Sequence, residues 1–285
     1  MGLAALFGGG QKRPQLCPSC GSLVGINATK CHQCGASLRF GMSAWSKGLA
    51  ELFGGRAPVT TAVLIVNVVM FAVSLLRSMK EGGGFGLFGG MNGIELYRLG
   101  ENIPYNWPGW GWWRMVTGTF LHGGLLHIGM NMFVLMDIGP VVEEVYGSAR
   151  YLFVYTACAI GGSVLSTFAG SHPSVGASGA IMGLLGALIA ITTKRGGAQI
   201  REMRSRLISW VVTIFAFGFL AGGVDNWGHF GGLATGFAVG KLLADREPNP
   251  GPERTQAYAM GWIAFAVLAV AFVQMLRNFG NPLPV

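Results

Sequence analysis

The feature that most limits this chain is a series of seven apolar segments, at about 59–76, 115–136, 150–169, 178–193, 207–222, 228–243 and 257–276, set apart by polar or glycine-rich stretches. An apolar helix of roughly 20 residues matches the ~30 Å hydrocarbon core of a bilayer. Within lipid the backbone must satisfy its own polar groups, and in segments of this length helices do so. Only 11% of the residues are charged, where a soluble protein carries about 25%. An all-α polytopic membrane protein is the expected fold.

The formal charge of +8 first suggests nucleic acid, but where the charges sit points to a membrane instead. Lys12, Arg13, Lys30, Arg39, Lys47 and Arg56 precede the first span; Lys194, Arg195, Arg201, Arg204 and Arg206 lie between the fourth and fifth. Four crossings separate the two groups, so both face one side, which the positive-inside rule makes cytoplasmic. The N-terminus is then inside and the C-terminal tail 277–285 outside. Residues 1–16 lack the apolar core of a cleavable signal peptide. The expected setting is the cytoplasmic membrane of a prokaryote.

After a tail at 1–14, residues 15–38 read as a separate module. Cys17-Pro-Ser-Cys20 and Cys31-His-Gln-Cys34 are two knuckles, each followed by glycine, able to fold four thiolates around one tetrahedral zinc. So small a module has too few apolar residues for a core, and metal binding would supply its folding free energy. Two disulfides are the alternative, disfavoured in a reducing compartment; His32 is a less suitable ligand than the cysteines. With few aromatics and no basic cluster, the ribbon does not suggest nucleic-acid binding, and it could instead engage a cytoplasmic partner. Residues 39–58 form a juxtamembrane linker, and 244–256 a cytoplasmic loop before the seventh helix at 257–276. The fifth cysteine, Cys158, lies inside an apolar segment, where it is most simply a packing residue. Between the first two spans, 77–113 is rich in glycine and holds Trp107, Trp110, Trp112 and Trp113, residues that favour the membrane interface.

Three spans carry polar groups. Ser178 sits in Gly176-Ala-Ser-Gly179, whose glycines allow close backbone approach, although the motif alone is equally a helix-packing signature. His229 opens the sixth span, and both spans enter from the external face, so the two side chains can meet at one depth as nucleophile and general base. Lys194, at the other end of the Ser178 helix and about 24 Å away at 1.5 Å per residue, is excluded as the base. Gly228, Gly232, Gly236 and Gly240 at four-residue spacing, facing Gly179 and Gly183, would hold the two helices together. On the second span, His127 and Asn131 share a face and can donate to an oxyanion beside the Ser178 amide. His122, five residues before His127, points elsewhere and ties the helix to the preceding loop. A metal site on that span is disfavoured, since no carboxylate or thiol accompanies these residues.

Trp113-Arg114, His122, His127, Asn131, Gly176-Ala-Ser178-Gly179 and Asn226-Trp-Gly-His229-Phe-Gly-Gly232-Leu-Ala-Thr-Gly236 occur in the order and spacing of the rhomboid family, which residues 59–243 resemble. The resemblance implies a six-helix core with a Ser178–His229 dyad and an oxyanion site at His127 and Asn131. Its substrates would be transmembrane segments of other proteins, cut by an intramembrane serine protease with no cofactor needed for catalysis. The seventh span and the zinc ribbon stand outside the core. Met182 occupies the place where members of that family carry an aromatic residue against the base, and Asp225, four before His229, is expected to be solvated. The alternatives are a non-catalytic relative that binds membrane helices, a small transporter with histidine proton relays, and a ribbon-centred function with the spans as anchor.

Overall fold

The computed structural model describes residues 57–82, 90–170, 172–221 and 223–281, together with 15–16, 22–24 and 32–33. The four cysteines expected to bind zinc lie outside the described residues. What is described near them is an antiparallel pair, β1 (Gln15–Leu16) and β2 (Leu23–Val24), with Gln15 opposite Val24 and Leu16 opposite Leu23.

Nine α-helices follow among the described residues: α1 (Pro58–Lys80), α2 (Gly93–Arg98), α3 (Arg114–Thr117), α4 (Leu125–Tyr146), α5 (Ser148–Ala169), α6 (Ser178–Lys194), α7 (Ala198–Ala221), α8 (Asn226–Leu242) and α9 (Pro252–Asn278). By length and composition α1, α4, α5, α7 and α9 can cross a bilayer. The other two expected spans, α6 and α8, have 17 residues each, about 26 Å at 1.5 Å per residue, and occupy the middle of the bundle. Seven apolar segments thus become five long helices and two short central ones.

The second span departs most from its expected bounds. Arg114–Thr117 and a 3-10 turn at Gly118–Phe120 form a separate approach, and α4 starts only at Leu125, after Gly123-Gly124 has extended the chain. His122 therefore precedes the helix and is not on it. At the other end α4 continues ten residues past 136 to Tyr146, through Pro140 and Glu143. Glu143 looks like a terminating polar residue, but it is buried and accepts from Val59 N (3.0 Å), Thr60 N (2.8 Å), Thr60 Oγ1 (2.8 Å) and Ser148 Oγ (2.7 Å). It caps α1, whose own N-cap residue Ala57 supplies no side-chain bond, and its charge meets the positive end of that helix. Glu143→Ala is expected to cost roughly 3 kcal/mol of stability, because buried donors lose their acceptor. Thr60→Val should cost less; titration with a denaturing detergent would rank the two.

Packing centres on α6 and α8, which make the most extensive helix contact in the bundle, with α5 against both. Almost every residue from Ala180 to Thr192 is buried. Glycine makes this approach possible: a Cβ on Gly232 would land on the Gly179 carbonyl oxygen, and one on Gly236 on the Gly183 carbonyl oxygen. A second ridge serves α5, where Gly162 lies against the Gly228 carbonyl and Gly231 against the Gly161 carbonyl. Cys158, free and fully buried, packs on Gly183. Helix α9 lies against α5 and α3, and α7 touches mainly α6, leaving much of its surface to the surroundings.

Candidate active site

Ser178 is the first residue of α6, and His229 lies one turn into α8. Their side chains meet, His229 Nε2 to Ser178 Oγ, at 2.8 Å. His229 is 4% exposed, so an imidazole and a hydroxyl are paired in a place largely cleared of solvent. The glycine ridge sets the separation: Gly228 and Gly232, which flank His229, contact Gly179 next to the serine. Such a pair has the geometry required of a nucleophile and its general base.

Asp225 is not a third member. Its Oδ1 accepts from Gly228 N at 2.8 Å, capping α8, so the carboxylate serves the helix that carries the base and does not touch the imidazole. The expected solvated residue is therefore a half-buried cap. Met182 is fully buried. The aromatic edge against His229 comes instead from Phe215 on α7, with ring centroids 6.0 Å apart and planes at 83°. Nothing in the spacing around Ser178 could have revealed it, since Phe215 belongs to another helix. Lys194 is confirmed as remote: its Nζ donates to the Gly240 (2.9 Å) and Leu243 (3.2 Å) carbonyls, at the far end of α8.

On the opposite side stands His127. A Cβ on Gly176, which has φ +126°, would approach His127 Nε2 to 2.7 Å, so the glycine is needed both for its backbone angle and for the ring beside it. His127 Nδ1 accepts from Gly123 N at 3.5 Å, which leaves the ring proton on Nε2, the nitrogen nearest the nucleophile's segment. Asn131 Nδ2 donates to the His127 carbonyl at 2.8 Å, one turn back along α4, so its amide is bonded within the helix and not to the Ser178–His229 pair. His122 is fully buried and meets His127 edge-on at 5.1 Å, so it packs against the histidine it was expected to point away from. The first amides of α6 have no intrahelical acceptor, as at any helix start.

Trp113 and Arg114 organise the loop above. Arg114 donates through Nε to the Gly109 carbonyl (3.0 Å) and through Nη1 to the Tyr97 (2.8 Å) and Glu101 (3.2 Å) carbonyls, with its guanidinium over the Tyr97 and Trp113 rings. Burial pushes the nearby Glu101 carboxyl up to about 7, with Arg114 pulling it back, so this edge of the loop is only partly charged at neutral pH. Ser178 also lines a small cavity, where the polar side chains of Thr119, Ser163, Ser174 and Asp225 are joined by Ala159 and glycine backbone. Among the described residues no group of three or more His, Cys, Asp or Glu is arranged to hold a metal.

Comparison with known proteins agrees with this geometry. Residues 109–246 match the rhomboid domain, a stretch that contains every residue of the site from Trp113 to Gly236. The chain is 40% identical over 132 residues to the rhomboid protease GluP of Bacillus subtilis, covering 46% of this chain and 26% of that protein. It is 35% identical over 184 residues to RHOMBOID-like protein 4 of Arabidopsis thaliana (59% of this chain, 46% of that protein). It is 38% identical over 148 residues to the rhomboid-type serine protease 2 of Emericella nidulans (50% and 29%). The matched stretch thus spans less than half the length of each of these relatives. The serine and histidine in bonding contact both lie inside the segment of this chain, residues 109–246, that is similar to the rhomboid domain.

Proposed function

We propose that this chain is an intramembrane serine endopeptidase that hydrolyses peptide bonds in or near transmembrane segments of other proteins. The observation that carries this reading is the 2.8 Å contact between Ser178 Oγ and His229 Nε2. A non-catalytic helix-binding relative would have no use for a buried histidine on a serine hydroxyl, and two of the similar proteins, at 40% and 38% identity over the matched stretches, are named as proteases.

In this reading Ser178 Oγ attacks the scissile carbonyl and its proton passes to His229 Nε2. The oxyanion is held by the Ser178 amide and His127 Nε2–H, with Asn131 steadying His127 through its carbonyl. His229 then returns the proton to the leaving amine, and water, reaching the polar cavity from the external side, hydrolyses the acyl-enzyme. A helical substrate has its carbonyls engaged, so segments with glycine or proline should be cut preferentially, since they open most readily. Resemblance to the family adds a small residue before the cut. The test is reconstitution in proteoliposomes with a single-span substrate: wild type should release product and Ser178→Ala should not. Absence of cleavage by wild type, or full activity in Ser178→Ala, would overturn the reading.

The N-terminal module is proposed to be a cytoplasmic zinc ribbon that binds one structural Zn²⁺ through Cys17, Cys20, Cys31 and Cys34, with the C-terminus external. Supporting this are the knuckle spacing, the basic residues on the same side, and a β1–β2 pairing that brackets the first knuckle in sequence. Metal analysis of the purified full chain should find close to one zinc per chain, and less than half of that in Cys17→Ser/Cys20→Ser. Equal zinc in both proteins would exclude the assignment.

A further inference from the structure

The segment leading into Ser178 has no helix of its own to hold it. Its support comes from the loop between α2 and α3 and from the turn that follows α3. Asn102 N donates to the Ser174 carbonyl at 3.0 Å, Ser174 N donates back to the Asn102 carbonyl at 2.8 Å, and Gly176 N donates to the Gly118 carbonyl at 3.0 Å. The Asn102 side chain, 3% exposed, uses both ends of its amide on α5. Nδ2 donates to the Ser163 carbonyl (3.2 Å) and Oδ1 accepts from Thr167 Oγ1 (2.8 Å), one turn further along. One residue therefore makes four hydrogen bonds to two different parts of the bundle. The residue before it, Glu101, is held through its carbonyl by Arg114. Gly118 adds to the constraint, since a Cβ there would come within 2.7 Å of Asn102 N.

We propose that Asn102 is a positioning residue for the nucleophile: it locks the 174–177 segment to α5 and so sets the height of the Ser178 amide and hydroxyl against His229 and His127. The proposal rests on the protease reading for its kinetic consequence, but its structural core is independent of it. Only a planar group with a donor and an acceptor fits both α5 partners. Aspartate at this place would keep the Thr167 bond and set a carboxylate oxygen against the Ser163 carbonyl. A shift of the segment by a fraction of an ångström would misalign oxyanion donors that act only in the transition state, while substrate docking would be little affected.

The experiment compares wild type, Asn102→Asp and Thr167→Val as full-length proteins in proteoliposomes, by kcat and KM on a single-span substrate, thermal unfolding, and amide exchange of 172–177. Asn102→Asp is expected to lower kcat by about 10- to 100-fold with KM within about threefold, as sub-ångström displacement of reacting groups does. Thr167→Val, which removes one bond, should lie between it and wild type. Exchange should rise in 172–177 ahead of α6 and α8, while the unfolding temperature falls because a buried carboxylate oxygen now faces the Ser163 carbonyl. Unchanged kcat and unchanged protection of 172–177 in Asn102→Asp would overturn the proposal, as would exchange rising equally throughout the bundle. If wild type cleaves nothing, the protease reading fails by itself, and the exchange data still decide whether Asn102 holds the segment.

Discussion

Ser178→Ala and His229→Ala should each lower the cleavage rate by a factor on the order of 10⁴ or more, and the double variant should be no slower than either single one. The size follows from losing the nucleophile, or the base that makes a serine hydroxyl reactive near neutral pH. The non-additivity follows because Ser178 Oγ and His229 Nε2, 2.8 Å apart, act as one unit and removing either disables it. If instead the two losses multiplied, serine and histidine would be serving separate steps. Rate constants in proteoliposomes for the four proteins, with substrate in excess, distinguish the cases. Both variants should fold, since among the described residues neither side chain makes another hydrogen bond of its own.

The second large effect lies away from the chemistry. Gly236→Val would place a Cβ on the Gly183 carbonyl oxygen, a backbone atom with no freedom to turn aside. Helices α6 and α8 would have to separate, and with them the Gly232–Gly179 contact beside His229 and the Gly240–Ala187 contact, where a Cβ would already come within 2.8 Å of the Ala187 carbonyl. Overpacking of this kind costs roughly 3 kcal/mol. The accompanying displacement of His229 from Ser178 should lower activity by at least about 100-fold. Gly129→Ala on α4 is the control, since nothing lies within 4 Å of a Cβ there; it should leave stability and activity near wild type. Detergent-denaturation midpoints and cleavage rates measured together would show whether the interface or merely the helix propensity is at stake.

The sequence was most readable where the determinants repeat at a fixed interval. Long apolar runs marked the helices, and glycines every four residues on α8 marked the face that meets α6. With topology added, Ser178 and His229 could be placed at one depth, where the structure puts them. Determinants that join distant residues were opaque. The second span was expected to end at 136, yet its helix runs on past Glu143, whose carboxylate is met by backbone amides 83 and 84 residues earlier. The Gly123-Gly124 break lay inside an apolar run and delayed α4, which removed His122 from the helix and turned it onto His127. Asn131 shares a face with His127, as its spacing required, but its amide bonds the helix carbonyl below it. Phe215 and Asn102 carry no local signature, because their roles depend on which elements the fold brings beside them.

The central claim is that Ser178 is a nucleophile activated by His229. Its most direct test is active-site labelling of the reconstituted protein with a fluorophosphonate probe, read by peptide mass spectrometry. The account predicts one adduct per chain, on the peptide containing Ser178, forming at least about 100-fold more slowly in His229→Ala. An adduct on a different residue, or labelling of Ser178 at the same rate with and without His229, would contradict it.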